Sequence, residues 1–174
     1  PVTARIIRNR DIVGAEAVEK YLRGSLKDLY SPHLLKDMDL AVEILKEKTE
    51  QGKRIRIVGD YDIDGVCSTY LLYKGLKRLG AAVDYEIPDR IKDGYGINIQ
   101  IVEAAAEDNI DTILTCDNGI SAIDQMKRAR ELGMTVIVTD HHDIAKVGEE
   151  DVLPEADAIV NPKQSADTYP WKEI

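Results

Sequence analysis

Long hydrophobic runs are missing from this sequence, and so is any stretch with the pattern of a signal peptide, which excludes a membrane-spanning helix. Cysteine is scarce. Cys67 and Cys116 stand far apart without zinc-type spacing, which fits a reducing cytoplasm better than a disulfide scaffold, and both read as small buried hydrophobes. No Gly-x-Ser-x-Gly elbow occurs, which argues against acyl transfer by a nucleophilic serine, and no Gly-x-x-x-x-Gly-Lys loop, which argues against nucleoside triphosphate hydrolysis of that type. Positive charge is outweighed: 23 Lys and Arg face 32 Asp and Glu, a net charge of −9. Such a field repels phosphates at long range and excludes wholesale non-specific binding of nucleic acid. It leaves a local site open, because metals neutralise the acidic residues gathered around them. Lys74, Lys77, Arg78, Arg90 and Lys92 cluster in sequence, but a solvated helix face accounts for them.

What is present suits a globular domain: 174 residues, 44% hydrophobic and 32% charged. A domain of this size removes about 70% of its unfolded surface from water. The sequence opens on Pro1 and stops at Tyr169-Pro170-Trp171-Lys172-Glu173-Ile174, which reads as a cut from a longer protein.

The densest feature is Arg54-Ile55-Arg56-Ile57-Val58-Gly59-Asp60-Tyr61-Asp62-Ile63-Asp64-Gly65, an apolar strand running into three alternating aspartates. On an extended backbone these carboxylates point one way and repel unless a cation neutralises them. A divalent metal with oxygen ligands answers this; turn and helix-cap roles for Asp60, Asp62 and Asp64 are the alternative.

Hydrophobic spacing predicts helix across much of 11–50, with breaks at Gly24 and Ser31-Pro32 and a stop at Gly52. Strands are expected at 54–59, 82–87, 111–116, 134–139 and 156–160. Helices are expected from Gly65 to Leu79 with Gly80 as its cap, around Ile97 to Ala105, and from Ser121, where Ser121 and Asp124 have capping-box spacing. The polar stretch 145–155 reads as a linker. This rhythm predicts an α/β fold: a mainly parallel sheet of about five strands with helices on both faces. Residues 1–53 form a helical segment packing on the core, and 54–174 the main domain.

Asp60 to Asp64, Asp117 and Asp140-His141-His142 each fall at the carboxyl end of a predicted strand, the edge where open parallel sheets bind ligands. Arg90 and Asn161 lie beside other strand ends. So many carboxylates and imidazoles suit two divalent ions sharing a carboxylate, roughly 3.5–4 Å apart, a pair that serves phosphate-ester hydrolysis. Mixed Asp and His ligands fit manganese, with magnesium or zinc as alternatives. A second histidine outside the metal shell can hold the phosphate or donate a proton to the leaving oxygen.

Gly59-Asp60-Tyr61-Asp62-Ile63-Asp64-Gly65, Cys116-Asp117-Asn118-Gly119-Ile120-Ser121 and Asp140-His141-His142 resemble the first three motifs of the DHH phosphoesterase superfamily. Pro88-Asp89-Arg90, Gly94-Tyr95-Gly96, Asn161-Pro162 and Tyr169-Pro170 extend the resemblance to RecJ-like single-strand-specific DNA exonucleases, over about 54–174. Ile63 stands where that family usually has a small residue. The resemblance implies a two-metal enzyme, manganese preferred and magnesium possible, releasing mononucleotides from the 5′ end of single-stranded DNA in repair and recombination. It implies Asp62, Asp64, Asp117 and His141 as metal ligands, with Asp117 bridging, and Asp60 and Asp140 as ligands or their supports. His142 would contact the scissile phosphate, and Arg90, Tyr95 and Asn161 the DNA. A single-strand-binding protein or a helicase would be a partner, in the cytoplasm. A fourth motif, with a further aspartate ligand, is absent before Ile174, so the fragment alone is expected to be inactive. Two other functions fit the motifs: phosphodiesterase action on oligoribonucleotides or cyclic dinucleotides, and a non-catalytic replication scaffold, which would be expected to lack the metal ligands.

Overall fold

The computed structural model describes residues 2–92 and 94–172. Pro1, Glu173, Ile174 and Asp93, the last within the loop expected at 88–96, lie outside the described residues. The chain divides into two compact units, one ending at Ser31 and one starting at Pro32.

The first unit holds helices α1 (Val2–Arg8) and α2 (Ala15–Arg23) and a 3-10 turn at Leu26–Asp28. α1 lies ahead of the first helix read from the pattern. Gly24 ends α2, and Ser25 starts the turn with a capping box in which its N–H donates to Asp28 Oδ2 at 2.8 Å.

The second unit runs α3 (Met38–Glu50), β1 (Arg54–Val58), α4 (Ile63–Arg78), β2 (Ala82–Glu86), α5 (Ile99–Glu107), β3 (Thr112–Cys116), α6 (Ile123–Glu131), β4 (Thr135–Thr139), β5 (Lys146–Val147), β6 (Glu150–Asp151) and β7 (Ala158–Val160). Five strands form one parallel sheet in the order β2-β1-β3-β4-β7. The expected linker at 145–155 instead contains the antiparallel hairpin β5-β6.

Alternating strand residues feed two cores. Ile55, Ile57, Leu114, Ile137 and Val160 pack with Ala41 of α3 and Leu76 of α4. Val58, Ile113, Val136 and Val138 pack on the other face with Ile101, Val102 and Ala105 of α5 and Met126 and Ala129 of α6. Right-handed crossovers explain the division: the chain leaves β1 in one direction to make β2, then runs the opposite way to β3 and β4, so α4 lies on one face and α5 and α6 on the other. The reversal makes the gap beyond the carboxyl ends of β1 and β3 the topological switch point of the sheet.

Glycines end the helices as read from the sequence. Gly80, at φ 85, follows α4, its N–H donates to Lys77 O at 3.1 Å, and Ala81 N–H reaches Leu76 O at 3.0 Å. Two local readings are corrected. α6 starts at Ile123 with Ala122 as its N-cap and no side-chain cap, because a turn closed by Ala122 N–H on Gly119 O at 3.0 Å precedes the helix and takes Ser121 out of capping position. Cys116 is buried as expected, whereas Cys67 is exposed on α4. No helix among the described residues is long and apolar enough to cross a membrane.

Candidate metal centre

Three chain segments meet at the switch point. The first leaves β1 through Gly59 and Asp60 and turns at once into α4. Glycine is required twice here: a Cβ on Gly59 would lie 1.9 Å from Thr69 Oγ1, and one on Gly65 would lie 2.6 Å from Asp60 O. With no Cβ in the way, the first turn of α4 closes onto the backbone of Asp60. Asp60 is fully buried, and Asp62 caps α4, its Oδ1 accepting the Gly65 N–H at 3.1 Å. Capping and a carboxylate cluster are therefore compatible: Asp62 caps the helix and still offers an oxygen within 4.8 Å of carboxylate oxygens of Asp60 and Asp117. Asp64 follows in the first turn, with its side chain 66% exposed.

The second segment leaves β3 at Asp117, which adopts φ 60 and redirects the chain. Left-handed backbone costs a residue other than glycine about 1 kcal/mol, least for Asp and Asn. The next residue, Asn118, is buried and ties three segments together. Its Nδ2 donates to Val58 O at 3.0 Å and to Cys116 O at 2.9 Å, and its Oδ1 accepts the Ile97 N–H at 3.2 Å. In the sequence Asn118 stands within a motif without an evident task.

The third segment leaves β4 at Asp140, whose side chain is 1% exposed and saturated with donors. Its Oδ1 accepts the N–H groups of His141 (2.7 Å) and His142 (3.1 Å) and faces His142 Nδ1 at 2.7 Å; its Oδ2 accepts the Ile120 N–H at 2.9 Å. Asp140 therefore orients the two histidines rather than presenting a free oxygen. His141 Nε2 lies 2.8 Å from Asp117 Oδ1 and 3.7 Å from Asp64 Oδ2.

One ligand atom from each of Asp60, Asp62 and Asp117 lies within 4.8 Å of the others, and the same holds for Asp117, His141 and His142. Asp117 is common to both groups. Asp60 Oδ2 and Asp117 Oδ2 are buried and without a hydrogen-bond donor. Buried carboxylate oxygens are costly without a donor or cation, so this pair fits a divalent cation. The donors are oxygen and imidazole nitrogen, since Cys116 Sγ packs on Thr69 Oγ1 at 3.4 Å instead.

Titration behaviour follows the same geometry. Burial, reinforced by the charge of Asp64, raises the Asp117 pKa, whereas the hydrogen bond from the Gly65 amide lowers that of Asp62. Burial opposes the charged His142 ring, yet the hydrogen bond and charge of Asp140 outweigh it and leave the pKa raised. Burial and the charge of Asp140 also push the Tyr95 phenol well up, so its hydroxyl keeps its proton.

The three residues expected along the DNA differ in placement. Tyr95 reaches the centre: its hydroxyl lies 3.0 Å from His142 Nε2, and its ring meets Tyr61 edge-on at 6.4 Å. Arg90 stacks on Tyr61 at 5.4 Å, extending the rim outward. Asn161 is corrected from a DNA contact to a brace, because it is fully buried with Nδ2 donating to His142 O at 3.0 Å and Oδ1 accepting the Lys163 N–H at 2.8 Å.

Residues 54–168 match the N-terminal domain of the DHH family. The chain belongs to the DHH family. The chain is 42% identical over 174 residues to the single-stranded-DNA-specific exonuclease RecJ of Bacillus subtilis, covering all of this chain and 22% of that protein. The RecJ of Escherichia coli is 37% identical over 175 residues, covering 100% of this chain and 29% of the relative. The chain thus spans less than a third of the length of these relatives. Among solved structures, exonuclease RecJ bound to manganese superposes with a TM-score of 0.72 at 38% identity, over 81% of this chain and 35% of the other. The RecJ of Thermus thermophilus in complex with Mn2+ gives 0.66 at 33% identity, over 88% and 22%.

Proposed function

We propose that this DHH domain is part of the catalytic core of a metal-dependent exonuclease that degrades single-stranded DNA from its 5′ end to mononucleotides, in repair and recombination. The observation that carries the reading is the pair of buried, donor-free oxygens Asp60 Oδ2 and Asp117 Oδ2 at the switch point of the sheet. Relatives over the whole chain are named single-stranded-DNA-specific exonucleases, and two structural relatives hold manganese.

Asp62, Asp64, Asp117 and His141, with Asp60 beside them, would hold two divalent ions, manganese preferred over magnesium. Asp117, common to both ligand groups, supports its reading as the bridge. Such ions stabilise charge on the phosphoryl oxygens and activate water at neutral pH. The rest falls to the chain. Asp140 holds the His142 ring through Nδ1, and a protonated ring so held can donate to a phosphate oxygen. Arg90 lies on the rim for a phosphate, and the Tyr61 and Tyr95 rings offer surfaces for bases. In a protein of the relatives' length, the resemblance to DHH phosphoesterases implies a further aspartate ligand downstream. Partners of this protein would be single-strand-binding protein or a helicase, and its compartment the cytoplasm.

Incubating that longer protein with 5′-labelled single-stranded DNA and manganese is expected to release labelled mononucleotide. Absence of release overturns the reading.

A further inference from the structure

We propose that Tyr95 is a positioning residue whose hydroxyl clamps the His142 ring to the backbone of Asp117, a task separate from any contact its ring makes with a base. The inference rests on the exonuclease reading for its kinetic consequence and on geometry alone for the clamp.

The loop that delivers Tyr95 is shaped for the purpose. Gly94 at φ 79 and Gly96 at φ 66 flank it, both in the left-handed region that favours glycine. Just beyond Tyr95 the loop is pinned twice to the centre: Gly96 N–H donates to Asp60 Oδ1 at 3.4 Å, and Ile97 N–H to Asn118 Oδ1 at 3.2 Å. A Cβ on Gly96 would lie 3.2 Å from Asn118 Cβ, so the loop seats closely against the segment after β3.

From this seat the phenol spans two strand ends. Its hydroxyl donates to Asp117 O at 3.2 Å and contacts His142 Nε2 at 3.0 Å and Nδ1 at 3.3 Å. Without it, the His142 ring keeps its contact from Nδ1 to Asp140 Oδ1 at 2.7 Å, about which an imidazole with a 44% exposed side chain can swing. Near-equal distances to the two nitrogens place the hydroxyl off the Nε2 lone-pair axis. A base-stacking surface needs only the ring, so these hydroxyl contacts call for a separate role. Orientation is where small errors are expensive: a group displaced by about 1 Å can lose a hundredfold in rate.

The test compares Tyr95→Phe and Tyr95→Ala with wild type in the longer protein. Two readouts are taken: kcat and KM on single-stranded DNA with manganese, and ring nitrogen signals of 15N-labelled histidine. The clamp predicts that Tyr95→Phe lowers kcat on the order of tenfold to a hundredfold with KM within about twofold, and shifts the His142 ring signals while leaving those of His141 in place. Tyr95→Ala shares the kcat loss and adds a rise in KM. Wild-type kcat in Tyr95→Phe overturns the clamp, and so does a loss of kcat with unshifted His142 signals. If the wild-type protein releases no nucleotide, the exonuclease reading has failed, and the His142 signals alone decide the clamp.

Discussion

Gly65→Ala tests how the helix start and the centre share one backbone contact. The added Cβ would lie 2.6, 2.8 and 2.9 Å from O, C and Cα of Asp60. All three are main-chain atoms, so no rotamer change relieves the clash, and the first turn of α4 has to move off the end of β1. Overpacking of this kind costs about 1–3 kcal/mol. For a domain of this size each kcal/mol lowers Tm by roughly 2–4 °C, so the expected fall is roughly 2–12 °C. Gly75, in the same helix, is the control: a Cβ placed there meets nothing within 4 Å, and Ala gains about 1 kcal/mol of helix propensity. Thermal denaturation followed by circular dichroism should therefore move the two variants in opposite directions. The site reports as well, because separating Asp60 from Asp62 should remove stabilisation by added manganese in Gly65→Ala and leave it intact in Gly75→Ala. Equal Tm values for the two variants would refute the close approach and the shaping of the carboxylate cluster by it.

Asp117→Asn should be more stable than wild type at neutral pH without metal. The Asp117 pKa is raised by burial and by Asp64, so the folded state binds that proton more tightly than the unfolded chain. Its contribution to stability then falls as pH rises from the unfolded value, about 3.9, through the folded one. The amide abolishes that loss; manganese at a hundred times its Kd should reverse the order, since each ion that wild type binds and the variant does not adds about 2.7 kcal/mol, read as a shift in Tm. Asp140→Asn should lower the His142 pKa, followed by its ring proton shift in an NMR titration. In wild type the raised pKa contributes stability that is full below about pH 6.5 and lost as pH rises through the folded value, and the variant should lose that dependence. Asn118→Ala strands the Val58 and Cys116 carbonyls and the Ile97 N–H, and should cost roughly 3 kcal/mol in a denaturant titration.

The sheet was legible because its strands are buried on both faces and its helices on one, so continuous apolar runs such as Ile113-Leu114 alternate with spaced ones such as Leu72 and Leu76. The centre was legible because parallel strands send their carboxyl ends to one edge, which brings residues as distant as Asp60 and His141 together. Capping at Ser121 was misread: the spacing is local, but the turn at Gly119 that displaces it packs against Thr115. Asn118 and Asn161 look alike in sequence to any loop asparagine. Only tertiary contacts show one tying β1, β3 and the Tyr95 loop together and the other bracing His142. Asp140 was ambiguous for the same reason, since its donors come from Ile120 as well as from its own neighbours.

The central claim is that Asp60, Asp62, Asp64, Asp117 and His141 form one cation centre. Isothermal titration of manganese into the longer protein tests it most directly. Two ions per chain are predicted for wild type, with saturable binding abolished or halved in Asp117→Ala of unchanged fold; no saturable binding to wild type, or equal stoichiometry in the variant, would contradict the account.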